Sequence, residues 1–370
     1  MAQGVSEHPG VPETQQDSQQ EYLQFRMTVR TRLELMRRRS SPALAGLVVA
    51  IGSAAVLSGP LGFVPMGTLP PSATGSGQSW GLRHSQASPT RIVVNAMDMV
   101  VSATGPVDTS MVRAPPETYF ALADKGAANA KKPVMAILHQ SFVSGCYVGF
   151  GGLLSLSIAG NLGAAASAAP GLQKMVFAAL FPVNLLLILN SGGQLFTGNA
   201  ATVSMAVIEG KATMSDLAKS WGVSILGNIL GCFAFACAAQ YSGLLVAGAR
   251  RLAISMTVMK TNLPVGQAVV RAIMCNWMVC MAVFLSEAAR DLGGKMVGIW
   301  FPISAFVAMS MEHSVANMFL LPAGILSGAP ITIGKMVVKN WIPVAIGNAI
   351  AGSVCVAASY SYAFGSLGKS

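Results

Sequence analysis

Gly192-Gly193-Gln194-Leu195-Phe196-Thr197-Gly198-Asn199 interrupts one long apolar segment, and Met311-Glu312-His313-Ser314-Val315-Ala316-Asn317 interrupts another about 120 positions later. Polar and charged groups inside a membrane span are costly, and where they occur they mark an ion or substrate path. Two broken helices in corresponding halves of one chain point to a binding or conduction site near the bilayer midplane.

The surrounding composition agrees with a membrane setting. Of the 370 residues, 10% are charged and 53% hydrophobic. The apolar residues lie in long runs, which excludes an ordinary soluble domain. Six candidate spans follow at about 134–160, 175–208, 217–247, 266–287, 296–327 and 336–363, the second and fifth carrying the interruptions. The net charge of +10 does not indicate nucleic acid, because the basic residues are scattered over span ends and the leader rather than gathered in a patch. The six cysteines all fall in apolar runs without zinc-site spacing and read as small core residues. No metal or other cofactor is called for.

Residues 1–112 are of different material, and residues 113–370 form the membrane domain. Between Met36 and Ala96 there is no Asp or Glu, while Arg37, Arg38, Arg39, Arg83 and Arg91 are present among Ser, Pro, Gly and Ala. Arg- and Ser-rich, acid-poor leaders read as organelle transit segments. Glu7, Glu13, Asp17, Glu21 and Glu34 run against that reading, and the apolar stretch Ala43–Val64 could instead be a retained helix. Gly77-Gln78-Ser79-Trp80-Gly81 matches the G-x-S-x-G elbow of serine hydrolases, but no strand or helix pattern flanks it. Pro115-Pro116-Glu117 opens a short amphipathic helix that ends near Lys131 and Lys132 at the membrane surface.

Lys219, Trp221, Gly227 and Asn228 recur as Lys339, Trp341, Gly347 and Asn348, each offset by 120. Each block opens the third span of a three-span half. Three is odd, so the second half is expected upside down relative to the first. Trp221 and Trp341 read as interfacial anchors. An unpaired carboxylate at depth would be unstable, so Glu312 is expected to be neutral or bonded to backbone donors.

Five motifs together resemble the formate/nitrite transporter family over roughly residues 114–368. They are Leu195-Phe196-Thr197-Gly198-Asn199, Lys219-x-Trp221 with Gly227-Asn228, Cys275-Asn276-Trp277 with Val279-Cys280, Glu312-His313-Ser314-Val315-Ala316-Asn317-Met318, and Pro343-Val344 with Gly347-Asn348. The ending Phe364–Ser370 resembles the algal plastid-envelope branch, whose members are associated with nitrite or bicarbonate movement. The resemblance implies an all-α membrane protein: six transmembrane helices in an aquaporin-like inverted 3+3 repeat with broken second and fifth helices, assembled as a homopentamer with one pore per protomer. It implies His313 as the central pore residue, Asn348 as its polar neighbour, and Thr197 on the interrupting loop. Phe181, Leu185, Leu195 and Phe306 match the apolar constrictions, and Lys260, sixteen residues before Asn276, matches a vestibule lysine. Relatives often carry an acidic residue where Gln194 stands.

Each role has a plainer alternative. His313 could be a satisfied core histidine, Lys260 a headgroup-facing lysine, and Asn199 and Asn317 could satisfy backbone freed by the breaks. His139 has no motif around it and reads as structural. The expected function is passage of small monovalent weak-acid anions, nitrite or bicarbonate and by family formate, with protons as co-travellers and lipid as surroundings. An aquaporin-like pore for small neutral solutes is the alternative, against which stands the absence of paired Asn-Pro-Ala signatures. A membrane enzyme is disfavoured, because no nucleophile–base–orienter set is visible. The expected location is the chloroplast envelope, with the plasma membrane as the alternative.

Overall fold

Helix-start chemistry sets the frame of this computed structural model, which describes residues 110–369. Proline lacks an N–H, which costs nothing at a helix start, where the first N–H groups have no intrahelical partner. Pro115 opens α1 (Pro115–Ala130), Pro133 precedes α2 (Val134–Ala159), and Pro264 precedes α9 (Val265–Ala288). The order between them is α3 (Ala164–Ala168), α4 (Pro170–Leu180), α5 (Val183–Ser191), α6 (Phe196–Ile208), α7 (Met214–Tyr241) and α8 (Ala247–Thr261). After α9 come α10 (Leu292–Ala308), α11 (Ser314–Ser327), α12 (Ile333–Met336), α13 (Ile342–Ile350) and α14 (Ser359–Phe364), with π-helical turns at Val337–Trp341 and Ala351–Ala358. Thr213 and Asp216 close a reciprocal capping box at the start of α7.

Among the described residues, five segments are long and apolar enough to cross a membrane: Val134–Ala159, Pro170–Ser191, Met214–Tyr241, Val265–Ala288 and Ile333–Phe364. The second and fifth segments, expected to be broken, are divided in the structure. The segment expected at 175–208 divides into Pro170–Ser191, which is long enough by itself, and the shorter α6. The segment expected at 296–327 divides into α10 and α11, of 17 and 14 residues, neither long enough alone. Backbone conformation makes both divisions. Gly192 ends α5 in the left-handed region at φ +77°, which glycine adopts without steric cost. Ser310 does the same after α10 at φ +56°, a conformation uncommon for a residue with a Cβ. Leu195 and His313 are then extended before α6 and α11 begin.

Small residues let the long helices approach. A Cβ on Gly231 of α7 would lie 2.0 Å from the Phe142 carbonyl oxygen of α2, and one on Gly347 of α13 would lie 2.6 Å from the Val269 carbonyl oxygen of α9. Lipid supplies no hydrophobic drive between helices, so such backbone contact is where packing energy comes from. α6 packs between α1, α7 and the second π-helical turn, while α11 packs between α8, α7 and α2.

One carboxylate organises the end of α6. Glu209 accepts from Tyr119 Oη at 2.6 Å, Ser361 Oγ at 2.7 Å and the Ser366 amide at 3.1 Å, joining α1, α6 and the C-terminal tail. Burial alone would raise its carboxyl, but these donors outweigh burial and hold it below the usual carboxylate range. Burial and the same hydrogen bond push the Tyr119 phenol up. Met111 and Arg113 pair with Arg290 and Ala288 across a short antiparallel bridge, on both sides of the expected boundary at 112/113. The transit reading, the Ala43–Val64 alternative and the Gly77–Gly81 motif lie outside the described residues.

Candidate functional site

The two breaks are held by matching sets of side chains. At the first, Asn228 of α7 accepts from the Phe196 amide at 2.9 Å and donates to the Gln194 and Ser141 carbonyls at 3.1 and 2.8 Å. At the second, Asn348 of α13 accepts from the Ser314 amide at 2.8 Å and donates to the Glu312 and Ala272 carbonyls at 3.2 and 2.8 Å. An asparagine is suited to this work because one short side chain carries both a donor and an acceptor for backbone groups that lost their helical partners. Asn348, expected to face the pore, is instead fully buried and spends its amide on backbone.

Asn199 and Asn317 also match, each donating to the side chain that opens its break: Gln194 Oε1 at 2.8 Å and Glu312 Oε2 at 2.7 Å. They satisfy side chains rather than freed backbone. Trp221 and Trp341 donate to the Asn199 and Asn317 carbonyls, both at 3.4 Å, so they are braces for the breaks rather than interfacial anchors. The likeness ends at charge. Gln194 faces Gln140, amide against amide at 3.4 Å. Glu312 faces Lys260, carboxylate against ammonium at 2.8 Å, both side chains buried. Glu312 is therefore paired with side chains, Lys260, Asn317 and Asn340, and not with backbone donors. Lys260 lies in the wall of a cavity and not among headgroups. Its charge is already matched.

That cavity holds about 230 Å³ and runs inward from Gln173 and Lys174 of α4, past Met256 and Met259 of α8, to Phe181, Phe306 and His313. Asn317 and Lys260 share its wall. Leu185, Leu195, Thr197, Asn199 and Asn348 are buried and do not line it. His313 is the N-cap of α11. Its Nδ1 accepts from the Ala316 amide at 3.0 Å, so the hydrogen of the neutral ring sits on Nε2, which donates to Thr197 Oγ1 at 3.1 Å. The ring stacks on Phe306 with centroids 5.7 Å apart. Thr197 comes from the first break and His313 from the second, so the side chains of both breaks meet here.

Asn276 of α9 ties the meeting point together, donating to the carbonyls of Thr197 at 3.2 Å and Asn348 at 2.7 Å. Asn276 and Asn340 were not expected to serve the site, although Asn276 falls within a quoted motif and Asn340 lies between the repeated Lys339 and Trp341. Their signal was a polar amide inside an apolar run. Ser220 stands where the repeat places Asn340, which hid the correspondence. His139 is exposed. Among the described residues no cluster of His, Cys, Asp and Glu could hold a metal ion.

The sequence profile of the formate/nitrite transporter family matches residues 116–362. The chain belongs to the formate/nitrite transporter family. A probable formate transporter of Methanothermobacter thermautotrophicus is 38% identical over 272 residues, covering 69% of this chain and 98% of that protein. A solved FNT family ion channel superposes with a TM-score of 0.61 at 25% identity, over 67% of this chain and 98% of the other. A pentameric formate channel with formate bound shares the fold, with a TM-score of 0.56 at 24% identity over 63% of this chain and 98% of the other. This formate/nitrite transporter is an integral membrane transport protein and not an enzyme.

Proposed function

We propose that the chain passes small monovalent anions of weak acids (nitrite, bicarbonate and formate) through a pore of its own in each protomer. The observation that carries this reading is His313 at the floor of the cavity, held as a neutral donor and backed by Thr197 from the other break. Thr197 holds the one N–H of the neutral imidazole, and an anion reaching the cavity floor takes that donor when Nε2–H turns from Thr197 toward it.

Phe181, Leu185, Leu195 and Phe306 form the dry constrictions around that station. A bare anion loses hydration there, which is costly, so the rings must part or the anion must cross as its acid. A proton placed on the imidazole would have to go to Nδ1, where the Ala316 amide already points. Relay through His313 therefore needs the first turn of α11 to loosen, and hydrogen-bond donation is the lower-cost role. Lys260 with Glu312, and Asn199 with Asn317, fix the two breaks around the station.

The matched roles of Asn228 with Asn348 and of Asn199 with Asn317 support an inverted three-plus-three repeat of six membrane segments, with the second and fifth broken. The fold shared with a pentameric formate channel supports a homopentamer. The acid-poor leader supports delivery to the chloroplast envelope, with the transit segment removed at a site before Met111, whose carbonyl accepts from the Arg290 amide. The test is flux into proteoliposomes with nitrite, bicarbonate and formate in competition. Mutual inhibition of uptake is expected. Osmotic swelling by water or a small polyol without any anion flux would overturn the reading. N-terminal sequencing of the mature protein checks the leader.

A further inference from the structure

Two features of the cavity wall point to a second ligand. Lys260 faces Glu312 at 2.8 Å, so it adds little net field to the vestibule. Lys174 is the other cation in that wall, and it is exposed at the vestibule mouth with no ion pair among the described residues. The same Lys174 also ends a lateral groove of about 530 Å³ between α4 and α10. The groove is apolar, walled by Met175, Ala178, Ala179, Trp300, Phe301 and Ala305. Ser304 Oγ donates to the Ala178 carbonyl at 3.0 Å and closes its floor. Along α10 it runs from Ala308 near Lys174 to Trp300, eight residues, or about 12 Å at the helical rise.

An apolar slot between two helices of the membrane domain, ending at an ammonium with no ion partner among the described residues, is complementary to a molecule with a hydrocarbon chain and an anionic head. We propose that the groove seats an acyl chain of an anionic phospholipid whose phosphate pairs with Lys174. Lys174 is then shared. With the groove empty or holding a neutral lipid, it draws anions into the vestibule; with an anionic lipid bound, its charge is taken and recruitment falls. The recruiting half rests on the proposed anion flux, whereas the lipid-binding half does not.

The test uses the full chain reconstituted in phosphatidylcholine, with or without a fraction of phosphatidylglycerol, and acyl-brominated forms of each lipid as quenchers of Trp300 fluorescence. The Trp300 signal is the difference between the parent chain and Trp300→Phe. Brominated phosphatidylglycerol is expected to quench Trp300 about threefold more effectively than brominated phosphatidylcholine at equal mole fraction, a preference lost in Lys174→Gln. Nitrite or formate uptake is expected to fall about threefold in Lys174→Gln and to lose its sensitivity to phosphatidylglycerol beyond the bulk surface effect. Ala305→Leu, which fills the groove, is expected to abolish the quenching preference while leaving Lys174 in place. Equal quenching by both lipids overturns the proposal. So does protection of Trp300 from either lipid, the result expected if a second copy of the chain covers the groove. Absent flux with preserved lipid preference would remove the transport reading and leave the lipid site standing.

Discussion

At the first break Gln194 faces Gln140, an amide against an amide; at the second Glu312 faces Lys260, a carboxylate against an ammonium. Around them the asparagine and tryptophan contacts are nearly the same, to within 0.2 Å for the Asn228 and Asn348 bonds. Backbone geometry at a break is thus set by neutral amides in both halves; a buried ion pair is added at the second, whereas at the first the Lys132 ammonium donates to Gln140 Oε1 at 3.0 Å. That addition stands beside the cavity that ends at His313, so the two breaks differ where a solute would meet them.

The largest expected effect is on the charged half. Lys260→Met leaves the Glu312 carboxylate buried without its cation and should cost about 3–5 kcal/mol, whereas the double variant Lys260→Met, Glu312→Gln should recover most of it. Thermal unfolding in detergent compares them, and equal loss in both would contradict the pairing. The converse experiment, Gln194→Glu, places a carboxylate opposite Gln140 and should destabilise the first break. Adding Gln140→Lys together with Lys132→Gln, which removes the ammonium now bonded to Gln140, should restore stability if the two sites are equivalent scaffolds.

Next come the shared parts. Asn228→Ala and Asn348→Ala each orphan buried backbone groups and should cost about 2–4 kcal/mol apiece, by similar amounts. A cost confined to one would break the correspondence between the halves. A smaller effect is expected away from the breaks, at Glu209. Its carboxyl sits below the usual range when folded, so the tail clasp is intact above the ordinary carboxylate range and is lost as pH falls through the depressed folded value. Protease cleavage after residue 361 should rise on acidification, and Glu209→Gln should show that susceptibility at neutral pH. The smallest effect belongs to the exposed Lys211–Asp124 pair. Asp124→Ala should change stability by less than about 1 kcal/mol, as the same melting assay would show.

Much of this was legible in the sequence because membranes punish polarity. Gln194, Glu312 and His313 stood out in apolar runs, and the offset of 120 between Trp221 and Trp341 exposed the repeat. What the side chains bond to was not legible. Glu312 was expected on backbone donors because Lys260 lies 52 positions away, and no periodicity brings α8 against the second break. Asn348 was expected at the pore because the family resemblance sets it beside His313; only the Ser314 and Ala272 contacts show that its partners are backbone. The exact residue at which the fifth segment breaks was not legible, because it turns on Ser310 taking a left-handed conformation, which hydropathy does not report.

The central claim is that His313, neutral and donating toward Thr197, forms the station that an anion must pass. Uptake of nitrite and formate by proteoliposomes, read with an internal pH indicator, compares the parent chain with His313→Phe after both are shown to fold. Loss of nitrite and formate uptake in the variant is the result predicted here, and unchanged flux would contradict it.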